Sequence, residues 1–211
     1  MLPSMLKPTT AAASAFDAHT ESMTSIIPLL YQAGYFTIKD YNEIGDIYLL
    51  DIPNNEIRIG LMESLLPNYI RIDSYKGTTT VAEMYIALHN DDLNEMMRLL
   101  QAYLLTIPQC DNTDYEGHYQ QLLYVIFSLM GRYVDVEVRT ATGRVDMVMN
   151  SGKTIYLFEL KLNKSAEAAI DQINLKDYPS RFALSGLPIT KIGINFSTET
   201  HTIEDWKITT E

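Results

Sequence analysis

Cysteine is nearly missing from this chain: Cys110 stands alone among 211 residues, which excludes an internal disulfide and a cysteine-cluster zinc site. A reducing cytoplasm is the expected setting. Histidine is scarce as well. His19, His89, His118 and His201 are scattered, none at helix spacing from another, so no zinc site is predicted. No apolar run reaches the length of a membrane span and no signal-peptide pattern is present, so no membrane partner is expected. Basic residues are the most telling shortage: 16 lysines and arginines face 27 acids, a net charge of −11. A free-standing nucleic-acid binder normally turns a basic face to the phosphates. Any such binding here has to be local and metal-assisted, or shared with another domain, unless this is an inactive copy. Apolar content of 46% nonetheless supports an ordinary globular core.

What is present centres on one stretch. Gly143-Arg144-Val145-Asp146-Met147-Val148-Met149 and Thr154-Ile155-Tyr156-Leu157-Phe158-Glu159-Leu160-Lys161-Leu162 are rich in β-formers and apolar on both faces, with Asn150-Ser151-Gly152-Lys153 as a turn between them. The pattern predicts two central strands joined in a hairpin. Three charges, Asp146, Glu159 and Lys161, interrupt the apolar run. Pairing Met149 with Thr154 sets Arg144 opposite Glu159 and Asp146 on a diagonal to it, and period-two alternation puts Asp146, Glu159 and Lys161 on one face. Diagonal neighbours lie about 7–8 Å apart, a gap that two carboxylates close by leaning onto one hard cation. An uncompensated charge in a buried strand is costly, so these residues predict Mg²⁺ or Mn²⁺ with oxygen ligands. The plainer alternative is a structural ion cluster in which Arg144 and Lys161 neutralise the two acids.

Around this hairpin the chain reads as two regions after a tail. Residues 1–20 lack periodicity and suit a tail or linker. Residues 21–109 form a smaller, mostly helical adapter region. It has a helix from Ser25 to Ala33 closed by Gly34, strands at Tyr35–Lys39 and Ile47–Asp51, and a helix from Glu56 to Leu66 stopped by Pro67. Helix, hairpin, helix is similar to a winged-helix unit, but Arg58 as the lone basic residue of the second helix argues for packing on another domain rather than DNA contact. A helical pair follows, Val81–His89 and Leu93–Thr106, and its stripe of Met96, Met97, Leu99, Leu100, Tyr103 and Leu104 reads as core. Pro108 and the polar run from Cys110 to Asp114 mark the boundary. Residues 110–211 then read as a helix from Tyr115 to Met130, an alternating strand Tyr133–Arg139, the central hairpin, a helix from Ala166 to Asp177 capped by Ser165, and a strand from Ile189 to Phe196. The fold class is α/β (α+β), and the helix before the last strand permits a parallel crossover in a mixed sheet.

An aspartate, a dozen residues and Glu-x-Lys across a hairpin is similar to the active site of the PD-(D/E)XK nuclease superfamily. The longer string, Gly143 to Asp146, Phe158 to Leu162, Ala166 to Ala169, Gln172-Ile173, Lys176 and Tyr178, resembles one branch of it. That branch is the domain of unknown function at the C-terminus of bacterial proteins with an AAA-ATPase-like domain, common in Bacteroides relatives. The likeness extends back through Glu116, Tyr119 and Gln120 and forward from Lys191 to Ser197. It implies a restriction-endonuclease-like αβββαβ core, hydrolysis of DNA ahead of RNA, a magnesium or manganese cofactor, and an upstream ATPase-like domain in a longer protein. By the same resemblance Asp146, Glu159 and the Leu160 carbonyl hold the metal and Glu116 approaches it through water. Lys161 positions the attacking water or stabilises charge, Gln172 lies near the catalytic group, and Lys176 and Tyr178 line the cleft. Plainer readings stand beside these: Glu116 suits a helix N-terminus, and Gln172 and Lys176 suit a solvated helix face. Arg144 contacts a phosphate or neutralises Glu159, while Glu137 reads as surface or structural. The superfamily's proline before the aspartate is Val145 here, which leaves the carboxylate available. The rival to an enzyme is a nuclease-fold interaction module without catalysis.

Overall fold

Turn and cap chemistry sets the order of elements in the computed structural model, which describes residues 8–16, 26–65, 74–106, 116–130 and 133–210. The chain divides into two compact units, Met1–Ser64 and Leu65–Glu211. In the first, strand β1 (Thr9–Ala12), helix α1 (Ile27–Gln32), strands β2 (Thr37–Asn42) and β3 (Ile47–Asp51) and helix α2 (Asn55–Leu65) follow one another. Gly34 takes the left-handed conformation after α1, as a helix end requires. The Asn54 side chain accepts the Ile57 N–H at 2.9 Å and caps α2. The sheet is antiparallel with order β1-β3-β2. Strand β1 falls within the stretch read as a tail. Its sequence, Thr-Thr-Ala-Ala, carries little apolar alternation, and its place comes from pairing with β3, Thr9 opposite Leu50.

The second unit holds α3 (Ser74–His89), α4 (Leu93–Leu105), α5 (Glu116–Leu129), β4 (Tyr133–Arg139), β5 (Arg144–Asn150), β6 (Ile155–Leu162), α6 (Ala166–Leu175), a 3₁₀ segment Tyr178–Ser185, β7 (Ile189–Ser197) and β8 (Thr202–Thr210). The sheet order is β4-β5-β6-β7-β8. Strands β6 and β7 run parallel and the other neighbours antiparallel, so the sheet is mixed, with α6 as the crossover. Helix α6 lies directly on β7. A Cβ added to Gly193 would meet the Ala166 carbonyl oxygen at 2.4 Å, so glycine is what permits the approach. Helix α5 covers the opposite face, where Phe127 meets Phe158 at 5.0 Å and Tyr119 stacks on Phe196 at 4.2 Å. Strands β6 and β7 are buried almost throughout, as their two-sided apolar sequence predicts.

Helices α3 and α4 lie in the same unit as this sheet, whereas the sequence placed them before a boundary near 110; residues 107–115 lie outside the described residues. The stripe of α4 buries both its methionines. Its neighbour is β8, where Gln101 donates its amide to the Ile203 carbonyl at 2.6 Å, Thr202 donates its hydroxyl to the Gln101 carbonyl, and the Trp206 indole donates to Asn94.

Candidate active site

The hairpin differs from expectation by two residues. Met149 pairs with Tyr156 rather than with Thr154, and Met147 with Phe158. Shifting by two conserves the faces, and continuing the register one pair beyond Met147–Phe158 sets Asp146, in place of Arg144, across from Glu159. The turn keeps four residues but moves one along the chain, to 151–154, for a local reason: the Ser151 hydroxyl accepts the N–H groups of Lys153 and Thr154 and donates to the Thr154 carbonyl, while Gly152 sits at φ +80. At Asp146 a carboxylate oxygen accepts the Leu160 N–H at 2.9 Å, so its side chain is tied to β6. Across on β4, Glu137 has φ +53 inside a strand, between the pairs Val136–Met147 and Val138–Val145. Left-handed backbone of this kind is costly and gathers at functional sites.

Glu159 is 1% exposed and Lys161 8%. The Lys161 ammonium donates to one carboxylate oxygen of Glu159 at 3.0 Å and to the Leu160 carbonyl at 3.0 Å. Gln172, on α6, donates its amide to that same Glu159 oxygen. The other oxygen, Oε2, is buried without a hydrogen-bond partner. Burial, and secondarily the charge of Asp146, push the Glu159 carboxyl up to about 7, against the opposing pull of Lys161. Two carboxylates crowd one another, one with an unsatisfied oxygen, and a lysine stands two residues on.

Residues 114–206 match the model of the PD-(D/E)XK nuclease superfamily. The matched residues take in α5 and run into β8, and they contain Asp146, Glu159, Lys161 and Gln172. A relative from Azotobacter chroococcum mcd 1, an uncharacterised protein in the vnfD 5′ region, is 31% identical over 204 residues, covering 92% of this chain. The chain spans 39% of that relative's length. No solved structure matches it.

The other residues expected in the nuclease segment fall in several places. Glu116 opens α5, but its side chain lies outside the described residues. Arg144 is exposed and pairs with Glu137 at 3.3 Å, not with Glu159, because the register carries it past the acid. Lys176 is exposed just after α6, and its carbonyl accepts the Thr142 hydroxyl. Tyr178, expected to line the cleft, is 1% exposed and donates its hydroxyl to the Arg144 carbonyl at 2.7 Å. It packs with Val145, Leu157, Ile170 and Ile173, so its work is positioning β5. Two polar residues had no assigned role in the sequence. Gln120, buried on α5, donates to the Asp146 carbonyl at 2.8 Å and fixes the backbone there. Asn195 stands beside Lys161 in the parallel register and accepts the Lys164 N–H at 2.8 Å, holding the turn after β6. Asn195 is an amide inside the apolar run of β7, which is the signal that would have singled it out, whereas Gln120 lies beside Gln121 in a polar stretch and carries no such signal.

The donor set fits a hard divalent cation. Among the described residues no three His, Cys, Asp or Glu side chains gather, so an ion would rest on two carboxylates, a main-chain carbonyl and water. Mg²⁺ is commonly held by one or two carboxylates with several waters retained. The unclaimed Oε2 of Glu159 and the proximity of Asp146 are what such an ion would satisfy. The Leu160 carbonyl already accepts Lys161, and a carbonyl keeps a second lone pair.

Proposed function

We propose that residues 110–211 form a magnesium- or manganese-dependent nuclease that hydrolyses phosphodiester bonds of DNA, with RNA as the second choice of substrate. The observation that carries this reading is the buried Glu159, one oxygen unclaimed, set against Asp146 and held on its other oxygen by Lys161 and Gln172. When bound, the cation supplies Lewis-acid chemistry, lowering the pKa of water and neutralising phosphoryl charge. The chain's own residues do the rest. Asp146 and Glu159 present oxygens from two adjacent strands, and the Gln120 amide and the Leu160 N–H keep Asp146 in place. Gln172 and Lys161 orient Glu159, and the Lys161 ammonium stands ready to stabilise charge as it develops. Arg144 and Lys176 offer cations to the substrate from the rim. The domain works in the cytoplasm with the ATPase-like partner that the family resemblance implies.

A second reading, a nuclease-fold interaction module serving that partner, is favoured by the net charge of −11. The two part at metal binding and turnover. Plasmid and single-stranded DNA are incubated with this protein and Mg²⁺ or Mn²⁺, beside EDTA and Lys161→Ala. Metal-dependent cutting that Lys161→Ala abolishes is the expected result. A folded protein that neither cuts nor binds Mn²⁺ leaves the interaction module as the function.

A further inference from the structure

In a chain so short of positive charge, three exposed cations meet at one turn. Arg139 and Arg144 are cross-strand partners at the end of the β4–β5 pair. Both are exposed, and residues directly opposite in an antiparallel pair share a face. Lys176 lies against the same turn: the Thr142 hydroxyl donates to its carbonyl, and a Cβ on Gly143 would stand 3.5 Å from its Cδ. Like charges set opposite each other on a sheet are destabilising. Here a single carboxylate, Glu137, at 3.3 Å from the Arg144 guanidinium, offsets part of that repulsion.

We infer that Arg139, Arg144 and Lys176 form a phosphate clamp, a docking surface for the sugar–phosphate backbone of a nucleic-acid strand, with Glu137 as the internal counter-ion that the strand displaces. The inference rests on the nuclease reading for the class of partner and extends it by assigning Arg139 and Glu137. Three features support it. Arg144 is two residues from Asp146, about 7 Å along a strand, so one nucleic-acid strand can lie on both. Exposed arginines lose little hydration on pairing with phosphate and present a planar fork to it. The carbonyl of Arg144 is pinned by Tyr178 and that of Lys176 by Thr142, so the backbones carrying these cations are positioned before any ligand arrives. The patch also answers how a protein of net charge −11 grips a polyanion: the grip is confined to one turn.

The test measures binding apart from cleavage. Fluorescence anisotropy of a labelled single-stranded oligonucleotide and of its duplex is followed in EDTA across a salt series. The variants are Arg139→Ala, Arg144→Ala, Glu137→Gln, and Arg98→Ala as a charge-matched control on α4. Arg139→Ala and Arg144→Ala are expected to weaken binding several-fold and to flatten the dependence of log K on log salt by about 0.7–0.9 each. Glu137→Gln should tighten binding, and Arg98→Ala should match the unaltered protein. An Arg139→Ala slope equal to that of the unaltered protein overturns the clamp, as does cleavage by a protein that shows no metal-free binding. Clamp-dependent binding by a protein that never cuts sustains the clamp and overturns the nuclease.

Discussion

Glu159 concentrates the chemistry of the site into one carboxyl group. Its ordinary value of 4.5 is pushed up to about 7 by burial and by Asp146. The folded state therefore binds this proton more tightly than the unfolded chain does. The group's contribution to stability is fully present below about pH 4.5 and is lost as pH rises through 7. Without metal, thermal unfolding should show a loss of the order of 1–3 kcal/mol from this group between pH 5 and 8. Glu159→Gln, which cannot ionise, should flatten that part of the profile. Added Mg²⁺ at pH 8 should raise the melting temperature of the unaltered protein and leave Glu159→Gln unmoved; equal shifts in both would place the ion elsewhere. Gln172 tests orientation rather than charge. With its amide gone in Gln172→Ala, the shared oxygen of Glu159 keeps Lys161 but can rotate about it. Metal-dependent cleavage should drop tenfold or more by the estimate of about 10–100-fold for groups that orient ligands, while the melting temperature changes little.

Elements carry the site by their distance from one another. The parallel β6–β7 pair and α6 above it set where Gln172 meets Glu159, and Gly193 sets the spacing. Gly193→Ala forces a Cβ toward the Ala166 carbonyl, so α6 has to lift. Urea unfolding should show a loss of about 1–3 kcal/mol, as overpacking does. Cleavage should fall further than stability alone explains, because Gln172 moves with the helix. Residues explain which elements were legible. Helix α6 has its serine cap, apolar period and a proline beyond, and the hairpin strands have β-formers on both faces. Helix α3 begins at Ser74, ahead of the apolar period from Val81 that marks its start in the sequence, because Gly77-Thr78-Thr79-Thr80 is a poor helix former and conceals the first turns from propensity. Strand β8 went unread because Glu204, Asp205 and Lys207 break its apolar alternation. Its hydrogen bonds run to β7 on one side, and α4 covers part of it.

On the scale of the whole molecule, the chain's two units divide at Ser64 and Leu65. A protein starting after α2 should keep the second unit and melt cooperatively. One starting at residue 110 loses α4 and uncovers β8, and should aggregate or lose its cooperative transition; circular dichroism with thermal melting compares the two. The face shared by Asp146, Glu159 and Lys161 followed from period-two alternation, and α6 followed from its caps, since both are local properties of consecutive residues. That acids in an apolar strand demand compensation was also legible, because burying a charge is costly whatever the fold. Tertiary structure alone decided the burial that turned Tyr178 into a brace, the amides of Gln120 and Asn195 that hold the site's backbone, and the packing of α4 on β8. Each of these depends on which distant segments meet, and pairing across a sheet is set by the hydrogen bonds and packing of both partners rather than by either sequence alone.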